Sequence, residues 1–453
     1  MLLGAAGALG GFRIACLIGE RRAGWACLLA LPAVPCLTFA SVSGTEVPLF
    51  VFLLMATGEL ALRERWELAG LSAGLAALAR PEGYILLPLL GCAALLEGAR
   101  QARRVARSAW RAVAPALRAV APAVGLQLPW IGYCLWATGR PMPSTYYAKT
   151  SWFGLIALEQ LEKIGWFLSG QPFAGAAMGR PLIPAVGAAS GLILLAIGAW
   201  RLLRASRGGI VLVGGFVPLF FYAISIQHPL GLLGAPDDPG AVANFYFARY
   251  LIPGLPFLVL LWLLGLLSLD SWLAGRLGGR PSSGLPARLA IAAALIAIPA
   301  SSIVIQHLEL RAVYSWNCQN IERLQVEAGR WVAANVPAGA TVAATDAGAL
   351  RFFGERRTVD LFGLNTQRRI PVILDMKPRA GRSAEEAQAI IRRFWSEPEV
   401  EFWVLFTRWA GRLPQGAGLE RIAGFRLKHN TIADSPELVV LRGRIGHGRF
   451  PGP

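Results

Sequence analysis

Long apolar runs alternate with short polar stretches over the first two thirds of the chain, and a bilayer-crossing helix needs about 20 predominantly apolar residues. Runs near 1–19, 24–41, 47–62, 68–80, 84–97, 113–136, 181–200, 210–227, 250–269 and 289–306 predict about ten spans. Those at 68–80 and 84–97 are short for a crossing. After residue 306 the pattern changes, because residues 307–453 contain no run long enough to span and are rich in Arg and Glu. Apolar residues at helical spacing (Ile321, Leu324, Val326, Trp331, Val332) predict a helix over 320–336, and "ATVAATDAG" reads as a strand entering a loop. A second helix is predicted over 383–397 behind the cap Ser383, and "VEFWVLFT" and "ELVVLRG" have the β-branched and aromatic content of strands. The expected fold is an α-helical polytopic membrane domain over 1–306 followed by an extracytoplasmic α/β domain over 307–453.

Composition supports the membrane class: of 453 residues 55% are hydrophobic and 16% charged, with a mean hydropathy of +0.49. The net charge of +17 could point to nucleic acid. Its distribution points elsewhere, since the arginines lie in short stretches between apolar runs: Arg21 and Arg22, Arg63 and Arg65, "RQARRVARSAWR" at 100–111, "RLLRASR" at 201–207, and Arg276, Arg280 and Arg288. Basic connections stay in the cytoplasm. Alternate connections are the basic ones, which places 41–46, 79–83, 137–180, 228–249 and everything after about 306 outside an inner, cytoplasmic membrane. The opening stretch lacks a basic n-region and a cleavage site, so it reads as a spanning helix. Five of the six cysteines (Cys16, Cys27, Cys36, Cys92, Cys134) fall in apolar runs, and neither they nor Cys318 show a disulfide or zinc spacing. No cofactor is expected; Asp237 and Asp238 could hold a divalent cation, but beside Pro236 and Pro239 they read as a turn.

Four stretches on the outer side interrupt apolar sequence with costly groups. "SGTE" carries Glu46; "ARPEG" carries Arg80 and Glu82; "GRPMPSTYYAKT" carries Arg140, Tyr146, Tyr147 and Lys149; "NFYFARYLIP" carries Tyr246, Arg249 and Tyr250. Singly, each has an ordinary explanation, as acidic groups at helix starts or as an interfacial belt of Tyr and Arg. Together, carboxylates, cations and phenolic hydroxyls on one face suit an anionic lipid head group with a proton transfer beside it. Glu46 and Glu82 could serve there either as ion-pair partners for the cations or as a base. In "TDAGALRFFGERRTVDLFGL" at 345–364, Asp346 and Asp360 with Arg351, Arg356, Arg357, Phe352 and Phe353 could form a sugar-binding surface. The plainer reading is a β-hairpin with a solvated charged edge.

These stretches resemble those of the bacterial GT-C membrane glycosyltransferases, the group of protein mannosyltransferase-like, aminoarabinose-transferase-like and terminal arabinofuranosyltransferase-like enzymes. "SGTEVPLF" and "LAALARPEG" are similar to its SG-x-E-x-P-L-F and R-P-E-G patterns, and "PMPSTYYAK" to its P-x-P-N-T-x-Y-A-K loop with Ser144 in place of Asn. "FARYLIPGLP" is similar to its R-Y-x-x-P segment, and residues 317–366 to the extracytoplasmic domain that ends these chains. The resemblance implies transfer of a sugar from a polyprenyl-phosphate carrier to a glycan, lipid or protein acceptor outside the membrane. Lys149 and Arg249, with Arg80, Tyr146, Tyr147 and Tyr250, would meet the donor phosphate, and Asp346 and Asp360 the acceptor. The group's base is an aspartate in the first extracytoplasmic loop, whereas this sequence opens on what resembles the second helix, so the expectation is in-frame coding sequence upstream of Met1. Within the chain, Glu46 and Glu82 are the carboxylates placed to substitute. A lipid or solute transporter and a non-catalytic lipid-sugar-binding subunit are the competing expectations.

Overall fold

The structure, a computed structural model, describes residues 1–105, 109–149, 182–214, 252–277, 311–312, 314–377, 381–414 and 417–445. The predicted span at 289–306, most of that at 210–227 and the loop 228–249 lie outside them. The described residues fall into two compact units, the first within 1–133, 182–214 and 252–277, the second within 134–149 and 311–445.

The first unit is helical: α1 (Leu2–Leu17), α2 (Arg21–Ala33), α3 (Pro35–Val42), α4 (Val47–Leu62), α5 (Trp66–Ala79), α6 (Leu86–Val105), α7 (Ala109–Thr138, running on into the second unit), α9 (Leu182–Ala205) and α10 (Leu255–Leu277). The single run predicted at 24–41 is two helices. A proline opens α3, and the residue before a proline is driven out of the helical region; Val34 accordingly sits at ψ 116°. Pro81–Arg103, Trp110–Thr138 and Ile252–Trp272 are the described stretches long and apolar enough to cross a membrane. The apolar helices α1 and α4 have 16 residues and α5 has 14. At 1.5 Å per residue a 16-residue helix reaches about 24 Å, short of a hydrocarbon core of about 30 Å. Packing is close where glycines face backbone: a methyl group on Gly198 of α9 would overlap the carbonyl of Leu261 in α10, and one on Gly265 that of Leu194. Small residues at such crossings are how helices associate where apolar burial gives no advantage over lipid. Phe50, Leu54, Met55, Phe257, Leu260 and Leu264 lie in the core.

The second unit holds a five-stranded sheet in the order β2-β1-β3-β5-β4. β1 (Thr341–Ala344), β2 (Arg357–Asp360) and β3 (Val400–Phe406) are parallel; β5 (Glu437–Arg442) runs antiparallel to β3, and β4 (Glu420–Arg426) antiparallel to β5. The helices are α11 (Glu327–Asn335), α12 (Ala347–Gly354), α13 (Ile370–Asp375), α14 (Ala384–Trp395) and α15 (Thr407–Ala410). Ser383 accepts the backbone N–H of Glu386 at 3.1 Å, the cap expected at the start of α14. Trp395, Trp403, Trp409 and Phe394 fill the core. The hairpin expected over 345–364 is instead a β1–α12–β2 crossover with Ala344 paired to Asp360 in parallel register. Eight helical residues, closed by Glu355 in the left-handed region at φ 50°, leave too long a connection for a tight turn.

This unit also takes in the described end of the loop that follows α7. Its helix α8 (Ser144–Lys149) packs on α13, and Ala148, 1% exposed, belongs to the α/β core. Lys377 Nζ donates to the carbonyl of Tyr147 at 2.8 Å, Gln367 Nε2 donates to that of Thr138 at 2.6 Å, and the Arg140 guanidinium lies 5.1 Å from the Tyr147 ring centre. Burial pushes the Lys377 ammonium down from 10.5 to about 8. Between those two values the unfolded chain holds the extra proton, so this group makes stability rise with pH across that window. In Lys377→Met, unfolding followed from about pH 7 to pH 11 is expected to lose that part of the rise. A variant curve parallel to the parent's would refute the burial of this amine.

Candidate functional site

Arg80 organises the polar end of the α4–α5 pair. Glu46 immediately precedes α4, and Arg80 immediately follows α5, which returns along α4 after the turn at Arg63, Glu64 and Arg65. The chain then turns through a 3-10 segment, Pro81–Ile85. Arg80 Nη1 donates to Glu46 Oε1 at 2.7 Å, while Nη2 and Nε donate to Glu82 Oε1 at 2.6 and 3.1 Å. Arg80 is 4% exposed and Glu82 3%, but the Glu46 side chain keeps 35%. The Arg80–Glu82 pair is therefore buried and Glu46 is its partly exposed member. Phe50, 5.9 Å from the guanidinium carbon to its ring centre, covers the cation. Gly83 permits this arrangement: a side chain there would collide with the backbone of Ala76 and Ala77 and lift the turn, with Glu82, off α5.

Beside the turn, Tyr84 donates its hydroxyl to Gln127 Oε1 at 2.8 Å, and Gln127 Nε2 donates to the carbonyl of Gly74 at 2.7 Å. Gln127 is buried in α7 and ties three elements together. Sequence reasoning missed it, although a lone glutamine in an apolar helix is the signal that could have found it. At the opposite end of α4, Glu59 takes Arg13 and Arg63, each at 2.9 Å, and Gln101 of α6 donates to Glu64 at 3.1 Å; elsewhere in the unit Arg201 of α9 pairs with Glu20. Glu59 does not stand out in the sequence either; its position one turn before Arg63 is the clue.

In the second unit, Tyr146 and Tyr147 stand edge to face with ring centres 5.4 Å apart. The side chain of Lys149 and the whole of Arg249 and Tyr250 lie outside the described residues. Asp346 and Asp360 follow or end the neighbouring strands β1 and β2, which brings them to one edge of the sheet. Asp346 Oδ2 accepts from Gln325 Nε2 at 3.1 Å. Asp360 turns inward, 3% exposed, its two carboxylate oxygens accepting the backbone N–H groups of Phe362 at 2.9 Å and Asn365 at 3.0 Å. Burial holds its carboxyl above the ordinary aspartate value; those backbone donors oppose the shift and the charge of Asp346 adds to it. Asp360 thus holds the loop after β2 in shape, and Asp346 is the more exposed of the two. Among the described residues no group of three or more His, Cys, Asp or Glu could hold a metal ion.

Among solved structures, the archaeal oligosaccharyltransferase AglB from Archaeoglobus fulgidus, in complex with an inhibitory peptide and a dolichol-phosphate, matches 90% of this chain at 14% identity and a TM-score of 0.46. This chain covers 58% of that protein's length, and a likeness at that score establishes neither a site nor an activity. No curated protein matches the chain. Residues 317–440, all in the second unit, match the model of a Domain of unknown function (DUF8728).

Proposed function

We propose that this chain is a membrane glycosyltransferase of the GT-C type, transferring a sugar from a polyprenyl-phosphate carrier to an extracytoplasmic acceptor in the cell envelope. The observation that carries the reading is the Glu46–Arg80–Glu82 cluster: two motif carboxylates on one buried arginine, at the end of α4 and α5 remote from Arg63 and Arg65. In this reading Glu46, the exposed member, accepts the proton of the acceptor hydroxyl, and Glu82 fixes Arg80 beside it. Lys149 and Arg249, with Tyr146, Tyr147 and Tyr250, hold the departing lipid phosphate, because cations and hydroxyl donors at a developing anion lower the barrier. Asp346, on the loop edge that Asp360 shapes, contacts the acceptor.

Lys149→Ala and Arg249→Ala are each expected to weaken donor binding by roughly ten-fold or more, the loss of one hydrogen bond to a charged group. Equilibrium binding of a polyprenyl-phospho-sugar to the purified protein measures this, and unchanged affinity in both variants would remove the phosphate role. Turnover of radiolabelled carrier by the same preparation tests the transfer itself. Binding without turnover would favour a non-catalytic lipid-sugar subunit, the reading supported by both glutamates being engaged by Arg80. Uptake into proteoliposomes without turnover would favour a transporter.

The reading also requires the cluster to face outward. In intact cells, a cysteine replacing Thr45 is expected to react with an impermeant thiol reagent and one replacing Arg103 to be shielded. The reverse pattern would overturn the orientation.

A further inference from the structure

The carboxyl edge of the parallel strands in the second unit carries polar atoms that the fold buries and leaves unpaired. From β1 the chain moves outward to β2 and then returns to the other side of β1 as β3. Such a reversal opens a crevice beyond the strand ends, where open α/β sheets bind ligands. The ends of β1 and β3 are in contact there, the backbone N–H of Thr345 meeting the carbonyl of Val404 at 3.4 Å and that of Phe406 meeting Thr345 Oγ1 at 3.5 Å. Asp346 follows on one side and Arg408 on the other.

The Arg408 side chain is 10% exposed. Its Nη1 donates to Asp434 Oδ1 at 3.3 Å, while Asp434 Oδ2 accepts from Trp409 Nε1 at 2.7 Å. Nε and Nη2 of Arg408 are buried and have no partner. These two donors form one side of the guanidinium fork, the geometry that takes two oxygens of a carboxylate or phosphate in parallel. Across the edge, Gln325 is 2% exposed; its amide nitrogen is committed to Asp346 and its Oε1 is buried without a donor. Gln325 lies in a π-helical turn, Glu322–Val326, a rare geometry that concentrates at functional sites. Buried polar atoms without partners are exceptions that call for a ligand or a water. At this end of the sheet they supply a two-pronged anion donor after β3 and an acceptor for a hydroxyl next to Asp346 after β1.

We propose that this edge binds a sugar bearing an oxyanion, its carboxylate or phosphate taken side-on by Nε and Nη2 of Arg408 and a nearby hydroxyl donating to Oε1 of Gln325. This deepens the acceptor reading of the same edge but stands on binding alone, so a chain that binds such sugars and transfers nothing would retract only the transferase reading. The test is titration of the full chain in detergent with glucuronate, glucose 1-phosphate, glucose and inorganic phosphate. One of the two anionic sugars is expected to bind at least about ten-fold more tightly than glucose and than inorganic phosphate, and the better of them identifies the oxyanion. Arg408→Lys, which keeps the charge and loses the fork, and Gln325→Leu are each expected to weaken that binding by about ten-fold. Should Arg408→Lys fail to fold, Gln325→Leu decides alone. No binding to the folded parent, equal binding of all four probes, inorganic phosphate binding as tightly as the sugars, or unchanged affinity in Gln325→Leu would each overturn the proposal.

Discussion

Arg80→Met is expected to cost the first unit about 3–5 kcal/mol of stability, the range for leaving one member of a buried ion pair without its partner. The loss falls mainly on Glu82, which is as deeply buried as the arginine, and less of it on Glu46, whose partly exposed carboxylate water can solvate. Unfolding in detergent should therefore separate three variants. Arg80→Met is the least stable, Arg80→Lys recovers part, and Arg80→Met combined with Glu82→Met recovers more than Lys does, because the buried charge is then gone. If the double variant were no more stable than Arg80→Met, the pair would not be the source of the cost.

In the second unit, Arg369→Met is expected to cost about 3 kcal/mol, the lower end of that range, because Arg368 also pairs with Glu397 at 2.8 Å and keeps part of its charge compensated. Arg369 is 2% exposed and Glu397 7%, paired at 2.8 Å. Arg369 also donates to the carbonyl of Phe394 at 2.6 Å and lies 5.0 Å from its ring centre. Burial lowers the guanidinium below its ordinary value, and the charge of Glu397 works against that shift. A further bond to the carbonyl of Leu361, at 3.4 Å, connects Arg369 to the loop that Asp360 holds. Amide exchange in residues 361–366 should thus rise in Arg369→Met before the strands are affected. Protection unchanged in that loop would show that Asp360 alone maintains it.

The parts of the fold legible in the sequence were those written locally. Ser383 with Glu385 and Glu386 announces α14, and the apolar strands β3 and β5 stand out because the core covers them. β2 showed only as an arm of an expected hairpin: it is four residues long, "RTVD", with its first two positions partly or wholly solvated, and its parallel pairing with β1 across α12 is not written in it. Glu46, Arg80 and Glu82 were visible as charges too costly to be incidental. That one arginine holds both carboxylates depends on α5 returning along α4, which no local pattern states. Arg408 and Gln325 drew no notice because nothing in their neighbours distinguishes a guanidinium with a full set of partners from one with two donors left over.

Ala148 belongs to the α/β core although about 180 residues of chain separate it from α11. A fragment cut to begin at residue 311 would leave an empty socket over α13, with Lys377 and Gln367 deprived of the carbonyls they hold. Excision of this region as an independent soluble piece should yield a loosened product, and adding a synthetic peptide spanning 138–149 in trans should tighten it.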